Sequence, residues 1–91
     1  MTIKRVHVRV SGRVQGVFFR ACTQEEAKKL CLSGWVRNSD TCVETEIQGD
    51  ESDLRCMLAW LHRGSPGAAV QEVDVRQMEP MGGEKGFEIK Y

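Results

Sequence analysis

No apolar run in this 91-residue chain approaches the ~20 residues needed to span a bilayer. The opening Met1-Thr2-Ile3-Lys4-Arg5 passes straight into a strand-like pattern without the apolar stretch of a signal peptide. A cytoplasmic protein with no membrane partner is the expectation. Excess charge is also missing: 13 basic side chains face 13 acidic ones, which argues against nucleic-acid binding driven by bulk charge and leaves room for a local cationic site. Cys22, Cys31, Cys42 and Cys56 form no CxxC pair. They read as reduced thiols acting as small hydrophobes, with one close pair left open. There is no GxxxxGK[ST] loop, and no cysteine stands upstream of Arg20 to make a Cys-loop-Arg phosphatase site. No His, Asp and Glu cluster has metal-ligand spacing, so neither metal nor cofactor is expected.

What remains has the size of one domain, residues 1–91, since domains run roughly 50 to 200 residues. From Arg5 to Val10 the residues alternate, with Val6, Val8 and Val10 on one face and His7 and Arg9 on the other, a half-buried strand with a wet side. Thr23 to Leu32 carries helix formers, glutamates before lysines, with Ala27, Leu30 and Cys31 as a narrow apolar stripe. Ser33-Gly34 breaks that helix. Trp35 to Asn38 and Cys42 to Gly49 then read as a hairpin around Ser39-Asp40-Thr41. Asp50 to Ser52 offers N-caps for a second helix, in which Leu54, Met57, Leu58 and Leu61 keep the spacing of a buried face up to Arg63 and Gly64. Ala69 to Met78 makes a further strand, and Phe87, Ile89 and Tyr91 share a face of a short final one.

This order, βαββαβ with a short extra strand, predicts an α+β, ferredoxin-like two-layer sandwich: an antiparallel sheet with both helices on one face and charged positions on the other. An RNA-reading version of that fold would place aromatics on the exposed faces of its central strands. Here His7, Arg9, Glu44, Glu46 and Gln48 stand there instead.

The stretch around which the chain is organised is Gly12-Arg13-Val14-Gln15-Gly16-Val17-Phe18-Phe19-Arg20. A strand that ends at one glycine, turns at a second and meets an arginine where a helix begins has the parts of an anion cradle. Successive N–H groups point into a concavity, the helix N-terminus adds partial positive charge, and a guanidinium supplies a fork for phosphate. On the residues alone, the same stretch also reads as a turn followed by a surface arginine. Phe18 and Phe19 read as packing and loop anchors, and Trp35 and Trp60 as core or core-edge residues.

The same residues resemble the first signature of the acylphosphatases, G-x-V-Q-G-V-x-[FY]-R, at every specified position, and Gly34-Trp35-Val36-Arg37-Asn38 resembles the start of the second, G-[WYF]-V-x-N. Similarity continues through Thr23, Ala27, Leu30 and Leu32, then Trp60-Leu61, Gly64-Ser65-Pro66, Ala68 and Val70, to Phe87, Ile89 and Tyr91. The resemblance implies a metal-free hydrolase that cleaves the carboxyl-phosphate bond of a small acyl phosphate, giving a carboxylate and inorganic phosphate, and that works as a monomer. It implies that the backbone amides of Gln15, Gly16, Val17, Phe18, Phe19 and Arg20, with the Arg20 side chain, bind the phosphoryl group, and that Asn38 positions the attacking water. Two departures stand out. The family pattern continues N-x-x-D-G-x-V-E, whereas Asn38-Ser39-Asp40-Thr41-Cys42-Val43-Glu44 is one residue shorter and lacks the glycine. Cys31 stands where relatives carry a helix-ending glycine, which predicts a strained left-handed residue. A hairpin that displaced Asn38 would leave the alternative of a non-catalytic module that binds anions or acyl phosphates.

Overall fold

The computed structural model describes residues 2–91. Val6, Val8 and Val10 alternate inward along β1 (Ile3–Arg13), and β3 (Cys42–Asp50) answers with Ile47, Thr45 and Val43 directly opposite them. These six side chains form one buried surface. Both helices lie over it: α1 (Phe19–Lys29) contributes Ala27 and α2 (Glu51–Arg63) contributes Leu54, Met57 and Leu61, all in a single apolar cluster. Full burial of a side chain such as Leu61 or Met57 stabilises the fold by about 1.5–3 kcal/mol, so the α2 stripe is a principal tie between the layers.

β2 (Ser33–Ser39), β4 (Ala69–Met78) and β5 (Phe87–Ile89) complete a five-stranded sheet in the order β4-β1-β3-β2-β5. Its first four strands are antiparallel, as the sequence predicts. β5 adds to the edge of β2 in parallel, which makes the sheet mixed. Because β1 and β2 both run antiparallel to β3, they run parallel to each other and their C-terminal ends emerge at the same end of the sheet. The C-terminal end of β5 and the start of β4 arrive there too. That end therefore gathers residues 14–18, Asn38, Ser65 and Tyr91.

Three local features differ from the sequence expectation. α1 begins at Phe19, four residues before the predicted start, so Glu25 and Glu26 sit in mid-helix and its first turn holds no acid. Tyr91 lies beyond β5 and beyond the last bond to β2, from Lys90 N–H to the Val36 carbonyl at 2.8 Å, and is fully exposed. The charged side of the sheet is less wet than alternation suggests. Arg5 is 1% exposed, bonded to Glu46 at 2.8 Å and to Glu84 at 2.7 Å, so the 79–86 connection folds over that side. Beside it His7 is half-buried rather than free, with Nε2 2.9 Å from Glu44 Oε2, and Trp35 lies on this charged side against Arg37 and Lys90 rather than in the core. Trp60 does sit at the core edge. All four cysteines are free thiols; Cys42 alone is buried, and Cys31 and Cys56 are exposed. Cys31 has the left-handed conformation that its missing glycine predicts, at φ 56°.

Candidate active site

The end of β1 is shaped by a backbone constraint at Gly12. Its φ is 118°, a β-bulge falls between Ser11 and Gly12, and a Cβ there would collide with the carbonyl oxygen of Ala69 on β4. Pairing with β4 continues past this bulge to Arg13, where the chain leaves the sheet. Val14 then plugs into the core, and Gly16 turns the loop at φ 76°. A Cβ on Gly16 would meet no protein atom within 4 Å, so the glycine is required by its backbone angle rather than by packing. Phe18 ends the loop in the left-handed region, at φ 57° and ψ 27°, and serves as N-cap of α1 without any side-chain capping bond.

The loop carries an unusual number of idle donors. Among the described residues, the backbone N–H groups of residues 15–20 donate to no other protein group; pairing resumes at Cys22, whose N–H bonds the Phe18 carbonyl at 3.0 Å. The first turn of α1 has no acidic side chain and no side-chain cap, so its partial positive charge is uncompensated. Arg20 lies in that turn, half-buried, and forms no ion pair among the described residues; its Cζ sits 5.1 Å from the ring centroid of Tyr91. Unpaired N–H groups and a guanidinium without an ion pair are the kinds of donor that a tetrahedral oxyanion can satisfy.

Asn38 is the penultimate residue of β2, opposite Val43 of β3, and shares the helix-side face with Val36. Its neighbours Trp35 and Arg37 point to the charged side, where Arg37 bonds Glu44 at 2.7 Å. The Asn38 side chain is exposed and has no hydrogen-bond partner among the described residues. Desolvation tends to raise the Glu44 pKa, yet hydrogen bonds from Arg37 and His7 outweigh it and hold the carboxyl below its usual range.

A cleft of about 340 Å³ joins these parts. Gly16, Phe18, Phe19, Arg20 and Asn38 all line it, together with Ile89 and Tyr91. Of the residues singled out by sequence, Gln15 and Val17 are the two whose side chains stand outside. The Gln15 amide donates to the carbonyls of Asp40 (2.7 Å) and Cys42 (2.9 Å), and Val17 packs on the core while its carbonyl accepts from the Ser65 hydroxyl at 2.8 Å. Phe19 is a true anchor, 2% exposed and 5.7 Å from Trp60, whereas Phe18 is 83% exposed and anchors nothing. Sequence reasoning missed Ser65 and Tyr91 as neighbours of the loop. Only their inclusion in the stretches resembling the family pointed to them, since neither has a chemical signature of its own. Among the described residues no three His, Cys, Asp or Glu side chains are grouped to hold a metal ion, and no helix is long and apolar enough to cross a membrane.

Comparisons with known proteins cover nearly the whole chain. A family model, Acylphosphatase, matches residues 6–89. The chain is 48% identical over 88 residues to an acylphosphatase of Rubrobacter xylanophilus, covering 96% of this chain and 80% of that one. It is 46% identical over 90 residues to an acylphosphatase of Roseiflexus, covering 98% and 97%. The crystal structure of acylphosphatase from Bacillus subtilis superposes with a TM-score of 0.93 at 36% identity, covering 99% of this chain and all of that one. With a family model matched over residues 6–89 and relatives similar over nearly the whole length, the chain belongs to the acylphosphatase family.

Proposed function

We propose that the 15–20 loop and Arg20 hold the phosphoryl group of an acyl phosphate while Asn38 orients the water that attacks it. The activity itself, hydrolysis of the carboxyl-phosphate bond, is the one carried by the family. The observation that supports this division of labour is the run of unpaired N–H groups over residues 15–20 beside a cleft lined by Gly16, Phe18, Phe19 and two polar side chains without partners among the described residues, Arg20 and Asn38.

The chemistry asks for little more. A carboxylate is a good leaving group, and the phosphoryl group passes through a loose transition state with charge spread over three equatorial oxygens. Fixed N–H dipoles and one guanidinium meet that charge without reorganising. The amide oxygen of Asn38 accepts a hydrogen bond from the water and aims its lone pair at phosphorus. A bond forms from the water oxygen to phosphorus as the bond from phosphorus to the acyl oxygen breaks. The electron pair leaves with the carboxylate, and the water proton passes to a phosphate oxygen.

Phosphate release from acetyl phosphate in EDTA, comparing the unmodified chain with Arg20→Lys, tests this reading. Turnover should survive the chelator and fall by about 10²–10³-fold in the variant, because a point charge does not reproduce a planar fork. Phosphate binding without turnover by the unmodified chain would instead identify a binding module.

A further inference from the structure

One side chain in the cleft has no role in the fold. Phe18 is 83% exposed, makes no capping bond, and holds a left-handed backbone that costs a non-glycine residue about 1–2 kcal/mol. Glycine or asparagine would hold the same turn with less strain and without displaying a phenyl ring to water. A bulky side chain kept in such a conformation is uncommon, and such outliers gather at functional sites.

Its place suggests what it meets. In-line displacement sets the acyl group opposite the attacking water, so the substrate leaves the phosphate cradle by the part of the cleft that Asn38 does not occupy. Of the apolar side chains lining the cleft, Val14 and Phe19 are 1% and 2% exposed and present almost no surface. Ile89 is half-buried, and Tyr91, fully exposed, carries a polar hydroxyl and has Arg20 over its ring. Phe18 is the exposed, wholly apolar ring that lines the cleft.

We infer that Phe18 is a specificity-determining residue that receives the acyl side of the substrate and favours acyl phosphates with a flat, apolar acyl group over small or polar ones. This rests on the hydrolase reading above. Stacking or covering by the phenyl ring removes apolar area of the acyl group from water both in the bound substrate and in the transition state, so the preference is expressed mainly in KM.

The test is the ratio of kcat/KM for benzoyl phosphate to that for acetyl phosphate, measured in the unmodified chain, Phe18→Gly and Phe18→Tyr. Glycine accepts the left-handed angle, so the fold is kept, and any change in the shared phosphate cradle cancels in the ratio. The ratio should fall roughly tenfold in Phe18→Gly, through a higher KM for benzoyl phosphate, and stay near its original value in Phe18→Tyr. A ratio in Phe18→Gly within twofold of the unmodified chain overturns the inference alone. Absence of turnover of either acyl phosphate by the unmodified chain overturns the hydrolase reading and this inference with it.

Discussion

The side-chain amide of Gln15 lies 2.7 Å from the carbonyl oxygen of Asp40 and ties the anion loop to the turn that follows Asn38. A second bond from the same nitrogen reaches Cys42 on the other side of that turn, at 2.9 Å. The shortened hairpin is thus held by the cradle itself. Ser39 pairs with Cys42 across a two-residue turn, Asp40 takes φ 52° in place of the missing glycine, and the Cys42 thiol bonds the Ser39 carbonyl at 3.1 Å. Asn38 precedes this turn by one residue and inherits its position from it.

Gln15→Ala should therefore reduce turnover through Asn38 rather than through phosphate binding. Two hydrogen bonds from one uncharged amide are worth about 1–3 kcal/mol of stability, and a displacement of ~1 Å at the water site costs on the order of a hundredfold in rate. Steady-state kinetics should show kcat falling about 10–100-fold, with competitive inhibition by inorganic phosphate changed by less than about threefold. A loss expressed wholly in phosphate affinity would show that Gln15 serves the cradle alone.

How much of this was legible in the sequence depends on what kind of interaction set it. Strands and the second helix were legible because alternation and the Leu54, Met57 and Leu61 spacing are direct records of burial. The start of α1 was not, because no polar cap marks it; the boundary is set by Phe18 in a left-handed conformation, which propensity does not foresee. The loop and Asn38 were legible through their resemblance to known signatures. The Gln15 clamp was not, since it joins a side chain to carbonyls 25 and 27 positions away, and only the register of β1 with β3 and of β3 with β2 brings them together. Arg5 illustrates the same limit. Alternation marks it as a wet-face residue, and only the return of the 79–86 connection buries it.

Arg5→Ala should be among the most destabilising single substitutions on the charged side of the sheet. It removes bonds to Glu46, Glu84 and Gln48 and leaves carboxylates partly buried without their cation. Breaking one side of such a pair costs about 3–5 kcal/mol. The strongest of these bonds, to Glu84, also holds the arginine pKa up against desolvation. Urea unfolding should report the loss, and amide exchange should quicken at Met81, whose N–H bonds Gln48 at 2.8 Å. An unfolding midpoint within experimental error of the unmodified chain would contradict the structural role.

Glu44 makes stability depend on pH in a defined sense. Its folded-state pKa is depressed, so the ionised carboxylate stabilises the fold at pH values above the unfolded pKa, about 4.3, and that contribution is lost as pH falls through the lower folded value. Thermal unfolding between pH 7 and pH 3 should show the unmodified chain losing more stability than Glu44→Gln on the acid side. The gap between the two should narrow as pH drops. A gap that is constant over this range would mean that Glu44 contributes by packing and not by charge.

The central claim is that one part of the site holds phosphate and another aims the water, and Asn38→Ala separates the two. Its kcat for acyl-phosphate hydrolysis should fall by at least about a hundredfold, while the inhibition constant for inorganic phosphate stays within about twofold of the unmodified chain. Near-normal turnover, or a phosphate affinity that collapses in step with kcat, would contradict the account.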